Sequence, residues 1–522
     1  MNLGDFVRQA VRAAPEKPFL RFDEQTISYE EFDAASNRAA HVLHSLGVRH
    51  GDRVALVLPN MPLFLILWFG AAKLGVIMTS WNPEYKTREL TPLLAHADPH
   101  IVVTTPALVS TVQESGDTAG TTFQLLHTGE TAIDRVEGVD ALLREAPAEP
   151  PGGDVRADDI CTLIYTSGTT GRPKGVLHTH ATYVCTGEAF PYWLGLTQAD
   201  RLFTCLPLFH INAQAYSTMG SVALGTTLIL AERFSAHSFL RQLAESGATT
   251  FNFIGAMVLI LRKQPPSESD RAHCVRITYG VPALAPEVRD EIEERFGFRI
   301  LAGYGLTEAT FGTMESLDES RRPLSIGKPR QHPAADFRNE VRIIDPAGHE
   351  LPAGQVGEIV LCNPAIMRAY FRDPELTRQA LAGGWLHTED VGYGDTDGFF
   401  YFVARGREVI RRRGENISAL EIEMVANEHP QVAECAAVGV PSELGDEDVK
   451  LIVVRRPDAH VTPAELLTWC EGRLARFKVP RYVEFRAALP KTATGRVLKH
   501  QLTAEAHATG ADVYDRERVD EA

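Results

Sequence analysis

The sequence predicts a large layered α/β domain followed by a small mobile α+β domain, and three observations carry that prediction. The first is length, since 522 residues exceed what one hydrophobic core serves. The second is alternation. Helical spacing over Phe6 to Ala13 and Tyr29 to Leu46 is interleaved with short apolar runs at Val54 to Leu58 and Ile101 to Thr104, the pattern of a largely parallel sheet covered by helices. The third is a change of texture after Arg405, where strands and helices follow one another in a compact unit of about a hundred residues.

Taken in order, a first α/β subdomain fills the opening ~150 residues, and Ser110 to Gly153, rich in Thr, Gly, Glu and Pro, reads as a surface connection. A second α/β subdomain runs through Phe251 to Gly303. Residues Val341 to Leu361 read as strands of a β subdomain, with a turn at Asp345-Pro-Ala-Gly348, where Pro and Gly supply the backbone angles a turn needs. The boundaries follow: 1–404 for the large domain, 405–505 for the small one and 506–522 for a polar tail expected to be disordered.

Composition then excludes several functions. A net charge of −16, with only the short basic run Arg411, Arg412, Arg413, argues against nucleic-acid binding, which needs clustered cations to displace counterions. Seven scattered cysteines without a C-x-x-C pair predict reduced thiols and a cytoplasmic setting. Met1 to Ala14 contains Asp5 and no apolar core, so no signal peptide is expected. The strongest apolar run, Leu63 to Thr79, contains Lys73 and two glycines and falls short of a membrane span. It reads as a buried helix followed by a strand.

Chemistry concentrates in Tyr165-Thr-Ser-Gly-Thr-Thr-Gly-Arg-Pro-Lys-Gly175, which follows the apolar run Ile160 to Ile164. Gly168 and Gly171 allow a tight turn whose N–H groups face an anion; Thr166, Ser167, Thr169 and Thr170 add hydroxyl donors, and Lys174 adds a charge. A polyphosphate is the ligand such a loop suits. The order of glycine, proline and lysine differs from the ordinary nucleotidase loop.

The complete string resembles the phosphate-binding signature of the adenylate-forming superfamily, which includes acyl-CoA synthetases, aryl-CoA ligases and luciferases. The resemblance extends over roughly residues 5 to 505, and it implies ATP, Mg²⁺ and, for the ligases, CoA. Gly303-Tyr-Gly-Leu-Thr-Glu308 is similar to the family's nucleotide motif, which implies that Tyr304 stacks on adenine, Thr307 contacts phosphate and Glu308 holds Mg²⁺. Gly280, in Gly280-Val-Pro-Ala-Leu-Ala-Pro286, matches the loop beside the adenine. Gly384-Trp-Leu-His-Thr-Glu-Asp390 resembles the ribose motif, with Asp390 as the ribose ligand and Glu389 where the family carries glycine. By the same resemblance His210, in Leu206-Pro-Leu-Phe-His-Ile-Asn212, lines the carboxylate pocket in a positioning role.

Val403-Ala-Arg-Gly-Arg-Glu-Val-Ile410 looks like the family's hinge, which gives Arg405 a ribose contact and puts Arg407 at the pivot. Arg413-Gly-Glu-Asn-Ile-Ser418 looks like the loop of a pantetheine tunnel, with Gly414 leaving room for the thiol arm. One departure matters. In Pro490-Lys-Thr-Ala-Thr-Gly-Arg-Val-Leu-Lys499 the family's catalytic lysine is replaced by Arg496, whose planar fork holds oxyanions at two points. Two activities therefore stay open: a small-acid CoA ligase in which Arg496 keeps the required cation, and an ATP-dependent diazotase that activates nitrite and passes nitrosyl to an aromatic amine. A binding protein without turnover is disfavoured because Lys174, Glu308 and Asp390 are all present. Small molecules are the expected partners, and the sequence leaves the oligomeric state open.

Overall fold

The computed structural model of the protein describes residues 1–133, 136–166, 174–281, 283–334, 337–405, 409–412, 415–442, 447–474, 476–491, 497–505 and 513–519. By its contacts the chain divides into two compact units. One comprises Met1–Arg342, Val360–His387 and Asp395–Tyr401, and the other Ile343–Ile359, Thr388–Gly394 and Phe402–Ala522.

Two eight-stranded sheets build the larger unit. In the first, the spatial order is Ala309–Met314, Arg299–Leu306, Ile277–Val281, Thr250–Ile254, Arg201–Thr204, Thr227–Leu230, Pro18–Phe22 and Gln25–Ser28. Its middle is parallel and both edges are closed by an antiparallel partner. The second sheet runs Ala369–Tyr370, Lys174–Thr179, Ile160–Thr166, Ile77–Ser80, Arg53–Val57, Ile101–Thr104, Gln124–His127 and Glu137–Gly138.

Arg53–Val57 shows why these runs become strands. Val54 and Leu56 enter one core cluster while Ala55 and Val57 enter another, so the period of two buries both faces, as a covered parallel strand requires. Helix Pro62–Lys73 is apolar all round and all but Ile66 of its residues are buried, which places it in the interior rather than on a surface. Its Trp68 and Phe64 share one core with Leu56 and Val103 of the second sheet and with Phe203 and Phe251 of the first. Lys73 is tolerated there because its ammonium donates to Asp33 Oδ1 at 2.6 Å and to Ser36 Oγ and Asn37 Oδ1 at 2.7 Å. Burial pushes its pKa down to about 8.

The segment expected to be a surface connection is instead built into the second sheet. Helix Val109–Ala119 is followed by Gln124–His127, which pairs in parallel with Ile101–Thr104. Gln124 is exposed while Leu126 and His127 are buried; a strand near a sheet edge keeps polar positions, and that composition resembles a loop.

In the smaller unit a hairpin pairs Val409–Arg412 with Glu415–Ser418. Ser418 caps helix Ala419–Asn427, and a Thr462/Glu465 capping box starts helix Pro463–Glu471. A four-stranded sheet follows the order Val432–Pro441, Glu447–Arg455, Tyr482–Phe485, Val513–Asp515. The expectation of a disordered tail is corrected at 513–519. Val513–Asp515 pairs antiparallel with Tyr482–Phe485, and Asp515 bonds Arg481 at 3.1 Å while Tyr514 packs on the core. These contacts offset the ordering entropy that polar composition alone does not.

Candidate active site

Thr166 and Lys174 are cross-strand partners at the mouth of the hairpin formed by Ile160–Thr166 and Lys174–Thr179. The proposed phosphate donors Ser167, Gly168, Thr169, Thr170 and Gly171 lie between them, outside the described residues. The closing pair nonetheless shows what the sequence needs locally: a seven-residue connection anchored at both ends by a strand ladder.

The nucleotide motif lies in another hairpin, on the other sheet. Arg299–Leu306 pairs antiparallel with Ala309–Met314, with a register shift between Tyr304 and Leu306. The turn residues Thr307 and Glu308 are half-buried and Tyr304 is almost fully buried. Glycine is required at 305, since a Cβ there would stand 2.7 Å from the Thr310 carbonyl oxygen.

Three contacts bring the two motifs together. The imidazole Nε2 of His178 lies 2.7 Å from the Thr307 carbonyl oxygen and donates to it, because an oxygen of that kind only accepts. Burial pushes the His178 pKa down to about 4, more than that hydrogen bond raises it, so the ring is neutral at pH 7. The Met367 N–H donates to the Glu308 carbonyl at 2.7 Å. Finally, the Tyr370 hydroxyl donates to Glu308 Oε1 at 2.8 Å, and the same ring faces the Lys174 ammonium, 5.5 Å from the ring centroid. Lys174 and Glu308, 134 positions apart in the chain, thus meet across one tyrosine.

His210 follows a turn closed by its own N–H to the Pro207 carbonyl at 3.0 Å. The turn is held by Asn60, whose side chain donates to Leu206 O at 3.0 Å and accepts from the Leu208 N–H at 2.7 Å. Desolvation by the surrounding protein lowers the His210 pKa, yet the residue stays accessible to solvent. At Gly280 a Cβ would stand 2.2 Å from the Phe253 ring, so the glycine has a packing reason independent of any nucleotide.

In the smaller unit Asp390 is 3% exposed and its N–H donates to Thr388 Oγ1 at 3.0 Å. Glu389, where the family carries glycine, has φ 58°. Arg405 ends the strand Phe400–Arg405, while Arg407, Gly414 and Arg496 lie outside the described residues. Sequence reading missed His178 and Tyr370. His178 lies three residues past the phosphate string; Tyr370 carries no local signal, because its place comes from pairing with a strand almost two hundred residues earlier.

A glycine-and-hydroxyl hairpin joined through its return strand to a Tyr-Gly-Leu-Thr-Glu turn defines an adenylate-forming enzyme of the acyl-CoA synthetase type. The chain belongs to the AMP-binding enzyme family: the model of that family matches residues 7–371, and that of the AMP-binding enzyme C-terminal domain matches residues 421–496. It is 35% identical over 487 residues to the crotonobetaine/carnitine–CoA ligase of Shigella dysenteriae serotype 1, covering 91% of this chain and 92% of the relative. Among solved structures, it is similar to ATP-bound MatB from Rhodopseudomonas palustris, with 27% identity, TM-score 0.85 and coverage of 97% of this chain and 99% of that one. The o-succinylbenzoate–CoA synthetase of Bacillus subtilis, in complex with ATP and magnesium ion, matches with 28% identity, TM-score 0.83 and coverage of 95% and 98%.

Proposed function

We propose that this enzyme adenylates a small carboxylic acid with ATP, releases pyrophosphate, and transfers the acyl group to CoA. A carboxylate oxygen attacks the α-phosphorus as the bond to pyrophosphate breaks; the CoA thiol, losing its proton, then attacks the acyl carbon and AMP leaves with the bonding electron pair. The observation that carries this reading is the meeting of Lys174 and Glu308 at Tyr370. A cation suited to phosphate oxygens and a carboxylate suited to a hard divalent ion share one tyrosine, which supports this reading. Magnesium is commonly held by one or two carboxylates plus substrate phosphates, and Glu308 fits that donor set.

In this reading the hydroxyl and glycine groups of Thr166, Ser167, Gly168, Thr169, Thr170 and Gly171 cradle the phosphates, and Tyr304 with Gly280 receives the adenine. Thr307 contacts phosphate, Asp390 and Arg405 take the ribose, and His210 lines the acid pocket. Arg496 stabilises charge as pyrophosphate departs, and Gly414 admits the pantetheine arm. Rotation of the C-terminal domain near Arg405 and Arg407 separates the two half-reactions. No described helix is long and apolar enough to cross a membrane, and the seven cysteines are all unpaired, which supports a cytoplasmic setting.

Arg496 favours a second reading, nitrite activation with nitrosyl transfer to an aromatic amine, because a guanidinium fork suits a small planar anion. Mass spectrometry of products from ATP with a panel of carboxylic acids, with and without CoA, and with nitrite plus an aminoaryl acid separates the two. AMP and a CoA thioester establish the ligase. ATP consumption that requires nitrite and the amine, with no thioester, establishes the diazotase. In either case Arg496→Lys should retain much of the pyrophosphate release and Arg496→Ala should lose it, and full activity of the alanine variant would remove this position from the mechanism.

A further inference from the structure

Resting on the reading of Glu308 as the magnesium ligand, we propose that Tyr370 is a positioning residue that sets the Glu308 carboxylate for the cation and the Lys174 ammonium for the phosphates. The tyrosine is 8% exposed. Its segment is fastened by backbone bonds to both motifs: Arg368 N–H to Leu177 O at 2.8 Å and Phe371 N–H to Gly175 O at 2.7 Å on the phosphate hairpin, and Met367 N–H to Glu308 O at 2.7 Å on the nucleotide turn. A fourth bond, from Tyr370 N–H to Thr377 Oγ1 at 2.9 Å, ties it to helix Pro374–Ala380.

The ring is therefore carried by a short edge strand, Ala369–Tyr370, whose backbone is bonded on both sides. From that base its hydroxyl engages one carboxylate oxygen of Glu308 at 2.8 Å, which limits how the carboxylate can turn. The ring face lies 5.5 Å from Lys174 Nζ, within the range of cation–π attraction. Partners that orient a metal-binding carboxylate typically change metal affinity by roughly 10- to 100-fold.

Tyr370→Phe removes the hydroxyl and keeps the ring; Tyr370→Leu removes both. Binding of Mn²⁺ in the presence of a non-hydrolysable ATP analogue, followed by electron paramagnetic resonance, reads the cation site without turnover, and thermal unfolding reads the fold. The Phe variant should unfold at nearly the wild-type temperature, bind Mn²⁺ about tenfold more weakly, and add no further loss when combined with Glu308→Gln. The Leu variant should in addition raise the KM for ATP, through Lys174. Wild-type Mn²⁺ affinity in Tyr370→Phe, beside weakened binding in Glu308→Gln, would overturn the role of Tyr370 and leave the magnesium reading intact. Unchanged Mn²⁺ binding in Glu308→Gln itself would remove that reading and this inference with it.

Discussion

The backbone of Glu389 stands at φ 58°, a region that glycine enters freely and other residues enter at a cost of about 1 kcal/mol or more. Local bonds hold it there. The Glu389 N–H donates to Glu358 Oε1 at 3.1 Å, and Thr388 Oγ1 donates to the Ile359 carbonyl at 2.6 Å while accepting from Asp390 N–H. The residue after the strained position is the one assigned to the ribose. Glutamate can therefore replace the family's glycine without displacing Asp390, because three hydrogen bonds fix the turn that the unstrained backbone would otherwise choose less often. Glu389→Gly should relieve the strain and leave ATP affinity unchanged, whereas Glu389→Val, β-branched at positive φ, should lower stability by roughly 1–2 kcal/mol. Chemical denaturation of the two variants, with nucleotide binding measured alongside, checks both outcomes.

Among the strands, Gly280 and Phe253 are register partners in parallel Ile277–Val281 and Thr250–Ile254. Phe253 is fully buried, and its ring fills the space a side chain at 280 would take. Gly280→Ala should thus destabilise by about 1–3 kcal/mol through overpacking, and Phe253→Leu in the same chain should recover part of that loss in a denaturation experiment. If Gly280→Ala instead weakened ATP binding at unchanged stability, the glycine would owe its place to the nucleotide. Such pairs also show what a linear reading can reach. The buried helix and strand of Leu63 to Thr79, and the turn at Asp345 to Gly348, were legible because each is specified by neighbours in sequence. The phosphate string was legible through glycine and hydroxyl spacing. Tyr370 and the His178–Thr307 bond were not, since each depends on which strands lie side by side. Gln124–His127, one strand in from the edge of its sheet, and Val513–Asp515, at the edge of its own, were read as connection or tail because strands at or near an edge keep polar residues and borrow their order from a partner.

At the scale of the molecule, the fold carries a pH dependence that its net charge does not suggest. His178 and His180, both in the larger unit, are fully buried, and burial pushes each pKa down to about 4. In the unfolded chain a histidine titrates near 6.5, so between pH 6.5 and 4 the unfolded state binds more protons and stability falls as pH falls. Each ring contributes on the order of 1 kcal/mol per pH unit across that window. Buried carboxylates act lower down. Arg276 and the Thr197 N–H hold Asp200 below its ordinary value despite the opposing effect of burial, so its stabilisation is present above about pH 4 and is lost as pH drops through its folded pKa. Acid unfolding should therefore begin with the histidines, well above the carboxylate range. Protonated His178 would keep its bond to the Thr307 carbonyl but would carry a charge at a fully buried site, where its Nδ1 has no hydrogen-bond partner among the described residues. Denaturation midpoints measured from pH 7 to pH 4 should fall steadily in the wild type and fall less steeply in His178→Gln, which keeps a donor for the Thr307 carbonyl and cannot titrate. Equal slopes in the two proteins would mean that His178 is not the group being protonated, and the neutral bond that joins the phosphate hairpin to the nucleotide turn would need another explanation.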